Sequence, residues 1–174
     1  MLALTVFTLG HSTRTMDQLV TLLEAHGVKI LADVRSFPRS ETNPQFNQDV
    51  IELDLGNHQI RYVWLQKLGG RRKGFGKDSK NTCWKNVSFR NYADYMETSS
   101  FMEGVEELVV LMKQGTVAIM CAETLHWRCH RSMISDYLKS KGIQVIHIVD
   151  ERHVQEHEYT QCARIRNGEL TYHK

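Results

Sequence analysis

No stretch of this 174-residue chain approaches the roughly 20 apolar residues that a membrane-spanning helix needs. Its apolar start, residues 1–9, carries neither a basic leader nor a small-residue cleavage site, so a cytoplasmic protein with no membrane partner is expected. Repeats and low-complexity tracts are missing too, and prolines number only 2. Cysteine is sparse, at positions 83, 121, 129 and 162, with no regular framework. A chain this long can build a core without staples, so reduced thiols or metal ligands are expected rather than bridges, a Cys121–Cys129 bridge being left open. With 41% apolar and 24% charged residues, a single globular domain over 1–174 is the simplest organisation.

Against that background one segment stands out. The apolar run 116–120 reads as a buried strand and opens into Cys121, Glu123, His126, Arg128, Cys129, His130 and Arg131, after which 132–141 reads as a helix ending at Gly142. The polar cluster therefore lies in a strand-to-helix turn. There, free backbone N–H groups attract anions and lower a thiol pKa, which suits a phosphate or a reactive cysteine.

Charge is uneven as well. Residues 66–90 carry eight basic side chains (Lys67, Arg71, Arg72, Lys73, Lys77, Lys80, Lys85, Arg90) against Asp78 alone, which is +7 and leaves −5 for the rest of a chain whose net charge is +2. The same segment holds Gly69, Gly70, Gly74 and Gly76 with Phe75, Trp84 and Phe89, a mixture that can wrap a polyanion by charge and stacking, or simply form a solvated loop.

Strands are expected at 4–9, 28–32, 59–65, 116–120 and 144–149, and a closing hairpin at 163–173 around Asn167-Gly168. Helices are expected after the Thr15/Gln18 capping box as far as Gly27, at 47–55, at 89–96, after a Ser100/Glu103 capping box, and at 132–141. This alternation predicts an α/β fold with a mostly parallel, Rossmann-like sheet flanked by helices and a C-terminal β-hairpin. In such sheets ligands bind at the carboxyl ends of the strands. His11 and Ser12, Asp33 and Arg35, Gly69 and Gly70, Cys121 and Glu123, and Asp150 follow five successive strands, so a site on that rim is expected.

Gly10-His11-Ser12, Asp33-Val34-Arg35 with Pro38 and Ser40, Leu68-Gly69-Gly70, and Cys121-Ala122-Glu123 followed by Cys129-His130-Arg131 together resemble the family called domain of unknown function 488, over nearly the whole chain. The resemblance implies a compact prokaryotic α/β domain whose motifs form the site, and it carries no activity with it.

Chemistry must then come from the residues. Cys121 or Cys129 can act as a nucleophile, although free cysteine is as often a small buried hydrophobe. Six residues separate Cys121 from Arg128, which argues against the five-residue loop of cysteine phosphatases. Glu123 and Asp33 can supply an acid and a base, or Asp33 can pair with an arginine and hold loops. His11 can orient or protonate a substrate, with Ser12 beside it. Arg35 and Arg131 suit phosphate clamping, with Gly69, Gly70, Arg72, Cys129 and His130 lining the ligand site. His126 and Cys129 lack an evident second pair of ligands except Cys121 or a distant histidine, so no metal and no cofactor is expected. His147, three residues before Asp150, lies near the rim, although a buried, hydrogen-bonded histidine is the favoured account of it. These residues point to an enzyme acting on a phosphate-bearing ligand, a nucleotide or nucleic acid, through Cys121 or Glu123. The rival is a non-catalytic nucleic-acid-binding module with structural cysteines.

Overall fold

The computed structural model describes residues 3–174, so the first two residues of the apolar start lie outside it. Strands β1 (Thr5–Gly10), β2 (Ile30–Asp33), β3 (Arg61–Trp64), β4 (Val117–Cys121), β5 (Gln144–Ile148) and β6 (Val154–Glu156) form one sheet in the order β3-β2-β4-β1-β5-β6. Neighbours are parallel except β6, which runs antiparallel to β5. Helices α1 (Met16–Ala25), α2 (Gln48–Asn57), α3 (Val87–Tyr95), α4 (Ser99–Gln114) and α5 (Arg131–Ser140) flank it, and β7 (Arg164–Arg166) and β8 (Glu169–Thr171) close the chain as a hairpin. The chain thus adopts the expected α/β class with a mostly parallel sheet and a C-terminal hairpin. Among the described residues no helix is long and apolar enough to cross a membrane.

Strand alternation sorts the core into two layers. Leu9, Leu31, Ala118 and Met120 face α1 and α2, whose Leu19, Leu23, Ile51 and Leu55 cover them. Val6, Ile30, Ala32, Val117 and Ile119 face the other side, under Phe101, Leu108, Met133 and Ile134 of α4 and α5. Burying each of the valine, leucine, isoleucine, methionine and phenylalanine side chains among them contributes roughly 1.5–3 kcal/mol.

Three expectations are corrected. Helix α4 is capped by Thr98, whose side chain accepts from Phe101 N, rather than by Ser100. Edge strand β6 was not anticipated, because its three residues are all exposed and carry no apolar alternation. Cys83 and Cys162 form a disulfide across 79 residues, whereas reduced thiols or metal ligands were expected; it fastens the basic segment to the C-terminal region. Cys121 and Cys129 are free, so the bridge left open between them is not formed.

Neighbouring β1 and β4 send their chains in opposite directions, β1 through α1 towards β2 and β4 through α5 towards β5. That is the switch point at which a parallel sheet opens a crevice beyond its carboxyl ends.

Candidate functional site

Gly10-His11-Ser12 and Cys121-Ala122-Glu123 meet in this crevice. Past the strands the two segments stay laced, with His11 N donating to Cys121 O (2.9 Å) and Ser12 N to Ala122 O (3.0 Å). Gly10 permits this, since a β-carbon there would collide with the Glu123 carbonyl, and Ser12 takes the left-handed region at φ 50°. The His11 ring stacks on Phe46 with centroids 4.2 Å apart. Its Nδ1 contacts Ser12 O at 2.8 Å, which fixes the proton there and turns Nε2 towards Arg35 Nη1, 3.4 Å away. Burial lowers its pKa to about 4, so the ring is neutral at neutral pH.

Asp33 ends β2 with no exposure, and its oxygens are fully engaged. Arg35 donates to them through Nε (3.0 Å to each) and Nη2 (2.6 Å), Arg35 N adds a bond at 3.0 Å, and Tyr62 OH another at 2.6 Å. Nη2 also reaches Phe46 O (2.7 Å). Arg35 is therefore locked in one orientation with Nη1 left towards the crevice. Burial first, and then the adjacent Asp33 carboxylate, push the Tyr62 hydroxyl well above its usual range, so it stays a donor.

The thiol side is built by α5. Cys129 Sγ lies 3.0 Å from Cys121 Sγ and 3.3 Å from His130 Nδ1. His130 Nε2 sits 2.9 Å from the Val34 carbonyl, an acceptor only, so Nε2 carries the proton and Nδ1 presents a lone pair to Cys129. Burial lowers the His130 pKa and keeps it neutral. The hydrogen bond to Cys121 lowers the Cys129 pKa against burial, while the same bond and burial raise that of Cys121; the pair shares one easily lost proton, which leaves from Cys129. Gly70 packs on His130, since a β-carbon there would stand 2.5 Å from Nδ1.

Arg131 lies beneath these groups, 1% exposed, and its donors are consumed inside the protein. Nε reaches Cys121 Sγ (3.2 Å), Nη1 Thr8 Oγ1 (2.9 Å), and Nη2 Glu123 O (2.7 Å) and Thr124 O (3.1 Å). It braces the loop instead of facing a ligand.

A cleft of about 860 Å³ opens over this floor. Its lining takes in His11, Ser12, Arg35, Gly70, Cys121, Glu123, Cys129 and His130 from the residues expected, and adds Ser36, Phe37, Arg39, Arg71, Phe89 and Arg128. Asp33, Gly69, Arg72 and Arg131 do not line it. Gly69 packs against Ser36. Arg72 bonds Gly69 O (3.0 Å) and lies 4.0 Å over the Tyr95 ring, turned away from the cleft. The basic segment is pinned as well, because buried Asp94 accepts from Phe75 N (2.8 Å), Ser79 Oγ (2.6 Å) and Asn81 Nδ2 (2.7 Å). Phe37 and Arg39 carry no sequence signal beyond the Pro38 between them, whereas Arg128 belongs to the polar cluster that marks the 121–131 turn.

No curated protein and no solved structure matches the chain significantly. A family profile described as Domain of unknown function DUF488 matches residues 15–138, well over half of the chain, and it spans the Asp33-Val34-Arg35, Gly69-Gly70, Cys121-Ala122-Glu123 and Cys129-His130-Arg131 segments that build this cleft; the protein belongs to that family.

Proposed function

We propose that the cleft binds a phosphate-bearing ligand, a nucleotide or nucleic acid, and that Cys129 acts on it as a nucleophile. One observation carries this reading: the guanidiniums of Arg39, Arg71 and Arg128, with Nη1 of the Asp33-paired Arg35, line the cleft beside Glu123, its one lining carboxylate, around a thiol with an imidazole lone pair 3.3 Å away. Guanidiniums offer paired donors that match phosphate oxygens. In the reaction so read, His130 Nδ1 takes the Cys129 proton, and an S–P bond forms as the P–O bond to the leaving group breaks. The leaving oxygen receives the proton from His130. Water, deprotonated by Glu123, then cleaves the S–P bond and the thiolate regains a proton. Cys121 donates a hydrogen bond to the attacking sulfur, and His11 Nε2 and Arg35 orient the ligand. Asp33 and Arg131 are positioning residues, Asp33 for Arg35 and Arg131 for the 123–124 carbonyls.

A second reading, a non-catalytic nucleic-acid-binding module, is favoured by Phe37, which is 66% exposed at the cleft and has the Arg71 guanidinium 5.7 Å from its ring. Such a pair stacks and neutralises single-stranded nucleic acid.

Iodoacetamide labelling read by mass spectrometry separates the two. Cys129 is expected to label faster than Cys121 at neutral pH, to be protected by AMP, and to lose protection in Arg39→Ala/Arg71→Ala. If Cys129 is inert while oligonucleotides bind Cys129→Ser as they bind the wild type, the nucleophile reading fails and the binding module stands.

A further inference from the structure

Behind Arg131 lies a buried polar cluster that the cleft does not use. Parallel register pairs Thr8 of β1 with His147 of β5, both turned to α5 and its Asp136. Arg131 can only donate to Thr8 Oγ1, so the Thr8 proton goes on to His147 Nδ1 (2.6 Å). His147 Nε2 then donates to His157 Nδ1 (2.9 Å), and His157 Nε2 to Asp136 Oδ1 (2.8 Å). Thr160 N, Thr160 Oγ1 and Tyr172 OH complete the shell of Asp136. His126 stands beside this chain with its ring stacked 3.6 Å from that of His147. Both of its ring nitrogens are buried and have no hydrogen-bond partner among the described residues.

We propose that His126, His147 and His157 form a binding site for a divalent transition metal of the zinc class. Each offers a ring nitrogen within 4.8 Å of the other two. The distal nitrogens of two are already held, His157 by the Asp136 carboxylate and His147 by Thr8, which is how ligating imidazoles are oriented by a second layer of partners. The third has two buried nitrogens with nothing to bond, and a metal gives one of them a partner. Zinc–nitrogen bonds of 2.0–2.1 Å in a tetrahedron set ligand nitrogens roughly 3.4 Å apart, so the 2.9 Å His147–His157 contact opens by about half an ångström and His126 turns out of its stack. The His147 proton moves from Nε2 to Nδ1 and is donated to Thr8 Oγ1, whose own hydroxyl hydrogen rotates off the ring, so the oxygen accepts from both His147 and Arg131 and no net proton is lost. The Asp136 carboxylate behind His157 offsets the charge of Arg131, whose guanidinium reaches Thr8 Oγ1 on the other side of His147. Three neutral ligands leave a fourth position for water or an anion, as in reactive zinc sites.

The test is Co²⁺ and Zn²⁺ titration of the metal-stripped full chain, with bound metal counted by mass spectrometry. One ion per chain is expected, with visible tetrahedral cobalt absorption and no near-ultraviolet thiolate-to-cobalt band. His126→Ala, whose ring holds no hydrogen bond, is expected to keep the far-ultraviolet circular dichroism and to weaken binding by at least about tenfold. Cys121→Ser/Cys129→Ser is expected to bind as the wild type does. Absence of stoichiometric binding to the wild type, unchanged affinity in His126→Ala, or a thiolate band lost with the cysteines each overturns the proposal, the last by moving the metal to the thiols.

Discussion

Asp33→Asn removes the charge that holds Arg35 without removing volume. In the wild type the carboxylate accepts bonds from Arg35 Nε, Nη2 and N and from Tyr62 OH, and neither side chain is more than 7% exposed at the pair. The amide keeps one acceptor oxygen but presents an NH2 group to a guanidinium and a phenol that are themselves donors. A buried arginine is then left uncompensated, and breaking such a pair from one side costs about 3–5 kcal/mol. A domain of ordinary stability has about 5–15 kcal/mol in hand, so the variant is expected to fold with much of its margin gone. Urea unfolding followed by circular dichroism measures this as a lower midpoint at unchanged slope. Releasing Arg35 also predicts weaker AMP binding. The double variant Asp33→Asn/Arg35→Met is expected to recover part of the stability, because the orphaned charge leaves with Arg35, but not the binding. A loss below about 1 kcal/mol in Asp33→Asn, or no recovery in the double variant, would refute the claim that Asp33 serves Arg35.

Other perturbations reach different links of the same structure. Gly70→Ala is expected to displace the His130 ring, which a β-carbon would approach to 2.5 Å at Nδ1, and to slow Cys129 alkylation several-fold with little effect on circular dichroism; an unchanged rate would show that His130 does not assist the thiol. His11 takes up its proton near pH 6.5 when unfolded and only at about 4 when folded, so its contribution is intact above pH 6.5 and stability is lost as pH falls through that window. The stability difference between pH 7 and pH 5 is therefore expected to shrink in His11→Gln, and a difference equal to the wild type's contradicts the burial argument. Cys83 and Cys162 close a loop spanning 79 positions, for which chain entropy gives about 4.5 kcal/mol. Cys83→Ser/Cys162→Ser is expected to lower the urea midpoint accordingly while leaving AMP binding in place, since neither cysteine lines the cleft.

The layered α/β plan was legible because apolar runs, the Thr15/Gln18 capping box and Gly27 mark β1–α1–β2 in local sequence; of the five strand ends that carry polar residues, four meet at the cleft, while Asp150 after β5 lies apart beside Arg14 and Gln18. What escaped reading depends on which way each residue points. Arg131 looked like a ligand clamp, yet it stands on the stripe of α5 shared with Ile134, Ser135 and Leu138, the buried one, so helical period already assigned it to the interior. Asp33 and His11 share the parity of Leu31 and Leu9, which places them on the α1–α2 side beside Tyr62 and Phe46. Thr8, Cys121 and His147 share the parity of Val6, Ile119 and Val145, which places them under α5. The cleft is thus assembled from opposite faces of one sheet: the His11, Asp33 and Arg35 group comes from one layer and the thiols from the other, meeting only where β1 and β4 part. His126, His147 and His157 obey the same logic on the α5 side, and their convergence needs the β1–β5 register and the β6 edge, neither of which any local spacing of histidines encodes.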